Sequence, residues 1–323
     1  MRRRLLVVVV GLVLALGTAA IGARPAVVLP RDHFGHPRAG IEWWYFTALA
    51  KDSAGTPYSV LFTLFSSRGG FVSVSQVVDL ATGAVVGHTE DVGLGLPSTR
   101  SLDVTVAGTR LRYLEPGGSW SFSVDTPAFA VSLEQHALKP YALHGAGGLI
   151  RQSSAGSSHY YSSTRMRAAG TLRIGSRTVS IGGQSWFDHQ WGDYRDDVRA
   201  FNWDWFSCRF DDDTELMLYQ FLDPTTHRPL LAYRTGTFVG RAGHVTHVSR
   251  FTATHGATVL AAAGSTWPLD WTLEVPVPGL KENVVSLLPD QLVRNRILPT
   301  FWEGVADATG TERGTCFVEI SYR

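Results

Sequence analysis

From about Pro25 onward, apolar and polar residues alternate over short runs that end at Gly, Pro, Asp or Ser. A period of two is the signature of strands with one face buried. Tyr58 to Phe65, Val72 to Val78, Ser119 to Val124, Thr171 to Ile174, Val179 to Ile181, Leu216 to Phe221 and Phe317 to Ser321 therefore read as strands. Gly175-Ser176 reads as a hairpin turn between two of them, and Asp211-Asp212-Asp213 as another turn. Pro278 to Arg296 is the one region whose pattern suggests a short helix. So many short strands at this spacing imply an all-β chain of barrels or sandwiches. With 323 residues, the chain exceeds what one compact core usually holds. The charged stretch Arg195 to Arg199 is the expected boundary between a first β unit, residues 25–195, and a second, residues 196–323.

The first 24 residues break the alternation. Met1-Arg2-Arg3-Arg4 is basic, Leu5 to Leu16 is a short apolar run, and Gly17 to Ala23 are mostly small. This is the pattern of a secretory signal peptide. The paired arginines also suit the twin-arginine route, so the expected location is extracellular or the cell envelope. The run is short for a membrane span, and no cysteine near it would carry a lipid anchor. The only cysteines, Cys208 and Cys316, are equally compatible with two buried thiols or one bridge, which export would permit. Composition is globular, with 44% hydrophobic and 18% charged residues. Removing Arg2, Arg3 and Arg4 takes the 29 basic residues to 26 against 28 acidic ones, about −2. Such a balance argues against a nucleic-acid partner. Phosphate-loop, dinucleotide and serine-nucleophile motifs are absent, which leaves nucleotide and serine-hydrolase chemistry without support.

The candidate chemistry lies among the aromatic residues. Of ten tryptophans, seven fall in three clusters that carry embedded acidic groups. These are Glu42-Trp43-Trp44-Tyr45-Phe46, then Ser185 to Asp193 with Phe201 to Phe206, and Phe301-Trp302-Glu303-Gly304. Rings alone indicate core, but carboxylates among rings are costly to bury. Strand parity puts Asp204 on one face with Asn202, Phe206, Cys208 and Phe210, and Trp203, Trp205, Ser207 and Arg209 on the other. Glu42 shares its face with Trp44, Phe46 and Ala48 by the same count. A carboxyl on an apolar wall either pairs with a cation or rises in pKa and becomes a proton donor. His189, flanked by Asp188 and Asp193, is the best-placed histidine for acid–base work, with a structural role at the unit boundary as the alternative. Asp32-His33-Phe34-Gly35-His36 forms a second polar knot; its histidines leave a metal site open, but the spacing is not diagnostic of one, and no cofactor is expected.

These clusters resemble the AttH/carotenoid 1,2-hydratase family of lipocalin-like proteins. The matching residues are Asp32-His33 with His36, Glu42 to Phe46, Tyr160 to Arg165, Ser185 to Gly192, Trp203-Asp204-Trp205, Trp302-Glu303-Gly304 and Phe317-Val318-Glu319, in order along nearly the whole mature chain. The resemblance implies two consecutive lipocalin-like β units with a pocket at or near their junction. Its members include hydratases of isoprenoid double bonds, a phytoalexin hydratase, fungal pericyclases and exported proteins of unassigned activity. By resemblance, Asp204 is the proton donor and His189 its partner or base, with Trp44, Trp191, Trp203, Glu42 and Asp188 lining the ligand site. Trp203 or Phe201 stands where the family places a tyrosine. The expected function is binding of an apolar isoprenoid or polyketide-like molecule, with cofactor-free hydratase or cyclase chemistry and contact with a membrane surface. The alternatives are a non-catalytic carrier of hydrophobic ligands in the cell envelope and a structural envelope protein.

Overall fold

A computed structural model of the chain describes residues 26–152, 156–193 and 202–322. The leader and the stretch Arg195 to Arg199 lie outside the described residues, as does Phe201. Among the described residues there is no α-helix; the only helical elements are single 3-10 turns at Arg31–His33 and Leu231–Tyr233.

The first twelve strands are β1 (Ile41–Asp52), β2 (Pro57–Ser67), β3 (Gly70–Asp79), β4 (Ala84–Leu94), β5 (Asp103–Val106), β6 (Thr109–Leu114), β7 (Ser119–Asp125), β8 (Phe129–Ala137), β9 (Ala142–Leu143), β10 (Leu149–Arg151), β11 (Ser157–Ile174) and β12 (Arg177–Gly192). They form one sheet in the order β4-β3-β2-β1-β12-β11-β8-β7-β6-β5, with β9 and β10 alongside β11. A second sheet begins at Asn202. It comprises β13 (Asn202–Phe210), β14 (Glu215–Leu222), β15 (Thr235–Val239), β16 (Val245–Val248), β17 (Thr252–His255), β20 (Asp270–Val275), β21 (Leu280–Ser286), β22 (Leu292–Val293), β23 (Phe301–Gly310) and β24 (Arg313–Ser321). Its order is β16-β15-β14-β13-β24-β23-β21-β20-β17, and β18 (Val259–Ala262) with β19 (Ser265–Pro268) makes a separate hairpin. Each sheet curls into a near-barrel. In both, the first strand is central, paired with the second strand on one side and the last on the other. The duplication is one of architecture.

Central strands bury both faces, which explains why their sequences read as nearly continuous apolar runs. On β1, Trp44, Phe46 and Ala48 enter the core of the first barrel, whereas Tyr45 and Leu49 pack on the opposite side. On β13, Phe206, Cys208 and Phe210 enter the second core and Trp203 and Trp205 face the other way. A third cluster, which joins Tyr45, Tyr160 and Trp186 to Trp205, Tyr219, Val305 and Phe317, is the seam between the barrels. The seam is also polar. A register shift in β11 between Ser163 and Met166 is a bulge, and beside it Arg165 donates from Nε to Glu215 Oε1 on β14 at 2.6 Å. Lys139 reaches the same carboxylate at 2.8 Å. Glu90 on β4 accepts the backbone N–H groups of Arg296, Ile297 and Leu298 at 2.6, 2.9 and 2.7 Å.

The structure corrects one expected element. Pro278 to Arg296 is not helical: it holds β21 and β22. Leu280, Glu282 and Val284 are buried alternately with exposed Lys281, Asn283 and Val285, so the period is two. The open question of the cysteines resolves to a bridge. Cys208 and Cys316 are directly opposed across β13 and β24 and form a disulfide.

Candidate functional site

Strand parity divides the expected site residues among three places. The first is the polar core of the first barrel. Glu42, at the start of β1, accepts the His36 backbone N–H, and its Oε1 lies 2.7 Å from His36 Nδ1 and 2.8 Å from His189 Nε2. His189 Nδ1 lies 3.1 Å from the Tyr161 hydroxyl, which lies 2.8 Å from His33 Nδ1. Trp44 stacks on His189 at 4.7 Å, and Trp191 is sandwiched between His36 at 3.9 Å and His159 at 5.0 Å. Burial lowers His189 despite its contact with Glu42, and takes His33 down to about 3. Burial also opposes charge on Glu42 and His36. Hydrogen bonds from His189 and His36 nonetheless hold Glu42 below the usual carboxylate range, and those to Asp32 and Glu42 hold His36 above the usual imidazole range. His189 thus bridges Glu42 at Nε2 to the Tyr161 hydroxyl and the Asp32 carbonyl, 3.0 Å away, at Nδ1. A half-open cleft of about 360 Å³ reaches this cluster past Arg31, Asp32, His36, His159 and Trp191. His36, Glu42 and His189 bring three donor atoms within 4.8 Å of one another, a set able to hold a metal ion, although hydrogen bonds within the cluster already join them.

The second place is the seam. Asp188 projects there from β12, on the face opposite His189. It accepts hydrogen bonds from Trp186 Nε1 at 2.7 Å, the Tyr160 hydroxyl at 2.9 Å and the Ser162 hydroxyl. Tyr160 in turn accepts from Trp205 Nε1 of the second sheet at 3.1 Å. Burial, only partly offset by these donors, raises Asp188 to about 7. His144 spans Ser162 at 2.6 Å and Thr237 at 2.8 Å, and burial takes it down to about 3. Glu303 on β23 and Glu319 on β24 are directly opposed. Tyr45 donates to Glu303 at 2.7 Å and Trp203 Nε1 to Glu319 at 2.6 Å. Burial raises both carboxyls, and the charge of Glu319 lifts Glu303 further, well above the usual carboxylate range. Trp43, Trp203, Tyr233 and Phe301 are half-buried against the seam cluster.

The third place is the second core. Asp204 is buried there, with Gln220 Nε2 and the Tyr322 hydroxyl each 2.9 Å from its carboxylate, and burial raises its pKa. The structure therefore separates the expected acid from its expected partner. His189 faces the first core and Asp204 the second, while the barrels meet through the opposite faces of β12 and β13. Glu42, His189, Trp44 and Trp191 do come together, while Asp188 and Trp203 both face the seam with partners of their own. The sequence reading passed over Glu303, Glu319, Tyr45 and Tyr160 as site residues. All four stand in the motifs quoted above; their convergence depends on strand register, which no single motif carries.

A family model described as AttH-like matches residues 21–322. No curated protein matches the chain. Among solved structures, an AttH protein of Nitrosomonas europaea superposes with a TM-score of 0.82 at 20% identity, covering 92% of this chain and 97% of that one. Kievitone hydratase of Nectria haematococca superposes with 0.77 at 19% identity, over 94% of each chain. CghA bound to Sch210972 gives 0.53 at 12% identity, over 88% of each. At these identities the likeness is one of fold.

Proposed function

The chain belongs to the AttH-like family, and we propose that it binds an apolar small molecule at the seam between its barrels and protonates it, with Glu303 as the acid. The observation that carries this reading is the Glu303–Glu319 pair: two opposed carboxyls with no cation bound to either among the described residues, each held by a ring, the Tyr45 phenol and the Trp203 indole. A carboxyl kept neutral by desolvation and a like-charged neighbour is a proton donor at neutral pH. Its O–H bond breaks as a C–H bond forms on an alkene carbon, leaving a carbocation that faces Trp203 and Tyr45. Ring faces stabilise such a cation. Water then adds its oxygen to the cation and returns a proton to the carboxyl pair, completing a hydration. Where water is shut out, loss of a proton from a neighbouring carbon gives an isomer or a ring instead. The hydratase among the solved neighbours supports this class of chemistry. We also place the mature protein outside the cytoplasm, on the leader pattern and the Cys208–Cys316 bridge. Delivery of the ligand from a membrane surface belongs to the same proposal.

The test is to purify the protein, extract it with organic solvent, identify the co-purifying compound by mass spectrometry and incubate it with fresh protein in D₂O. Wild type should place one deuterium on carbon, and Glu303→Gln should slow this by about 10²- to 10⁴-fold. Asp204→Asn should turn over like wild type. Undiminished deuteration by Glu303→Gln sinks the assignment, and binding without any conversion makes the protein a carrier.

A further inference from the structure

A groove of about 390 Å³ lies at the edge of the seam, walled by Leu49 and Gly182 to Gln184 of the first barrel and by Arg209, Phe210 and Thr315 of the second. Arg165, Lys51, Asp211 and Asp213 also line it. The two large cations differ in their commitments. Arg165 is fully engaged: its Nε donates to Glu215, its Nη2 to the Phe210 carbonyl, and its Nη1 lies 3.2 Å from Asp213. Arg209 has no such partner. Its side chain is 6% exposed, its Nη1 is shut off from solvent, and Nη1 meets no acceptor among the described residues. Its guanidinium lies over the face of Phe317, 6.0 Å away, and Glu215 stands opposite it across β13 and β14.

The nearby acids do not supply what is missing. Glu215 is shared by Lys139 and Arg165, while Asp211 is exposed and Asp213 is turned to Arg165. A buried guanidinium with a nitrogen left without an acceptor is expensive, and guanidinium is suited above all to grip a planar carboxylate in bidentate fashion. We propose that this groove binds the carboxylate of an amphipathic ligand, with Arg209 as the residue that grips it. Leu49 gives the groove an apolar wall and also packs against the aromatic seam, so the uncharged part of the ligand has a surface to lie on. This goes beyond the reading of Glu303 as an acid: it assigns a second contact and a charge to the ligand.

The experiment is a calorimetric and thermal-shift titration of the purified protein with decanoate, 1-decanol and inorganic phosphate. Binding is its only readout, so it stands apart from turnover at Glu303. Decanoate should raise the melting temperature of wild type and bind roughly tenfold or more tighter than 1-decanol. Arg209→Met, which keeps the apolar stem, should melt no lower than wild type and lose that advantage. Thr315→Trp fills the groove from β24 with Arg209 in place, and should also lose decanoate binding. Wild-type affinity for decanoate in either variant overturns the proposal, as does equal affinity for the alcohol. Stabilisation by phosphate equal to that by decanoate would overturn the carboxylate assignment in favour of an inorganic-anion site.

Discussion

At the scale of single residues, the molecule is distinguished by buried ionisable groups whose acidity is set by what faces them. Asp188 is the clearest, since its folded pKa of about 7 lies well above the ordinary aspartate value. The folded state therefore binds a proton that the unfolded chain has released, and stability falls as pH rises from about 4 to about 7. Asp188→Asn should remove this dependence and stabilise the protein at pH 8 by up to about 4 kcal/mol. Urea melts of both proteins from pH 5 to pH 8 measure it; parallel curves would mean that Asp188 is ionised throughout. The sequence made Asp188 a candidate because it stands among rings, and parity alone put Asp204 and Glu42 correctly on inward faces. It could not show which barrel each inward face belongs to. The family resemblance made His189 and Asp204 partners, yet they end in separate cores.

At the scale of elements, the strands were legible because a half-buried strand must alternate. Both hairpin turns, Gly175-Ser176 and Asp211 to Asp213, stand where their turn residues predict. The segment from Pro278 to Arg296 misled because its apolar residues are sparse enough to fit a helical stripe as well as a strand. Register was not legible, and register decides the pairs that matter: Glu303 with Glu319, and Cys208 with Cys316. The bridge ties the first strand of the second sheet to its last, 108 residues on. A cross-link closing so long a loop removes much unfolded-chain entropy, so Cys208→Ser with Cys316→Ser should cost about 2–5 kcal/mol. Equilibrium denaturation with and without reductant checks this; a wild type insensitive to reduction would contradict it.

At the scale of the whole molecule, the two barrels share a seam that is neither purely apolar nor purely polar. Its largest ionic feature is Glu215, fully buried between Lys139 and Arg165. Neutralising the acid leaves two cations facing each other out of water. Glu215→Gln should therefore cost about 3–5 kcal/mol and uncouple the barrels, so that calorimetry shows two transitions where wild type shows one. A single unshifted transition would mean that the ionic cluster does not couple the halves. The architecture was legible from the number and spacing of strands; the seam was not, because its residues come from both sheets and meet only when the barrels dock.

Glu90 gives that docking a further consequence. Its carboxylate, on an outer strand of the first sheet, holds three successive amides of the segment just before β23. That segment carries Leu298 and runs on into Phe301, both packed on the seam cluster. The segment is thus latched to the opposite barrel by one side chain. Any movement that takes it away from the first sheet must release all three amides together, so the seam on this side opens through an all-or-none catch.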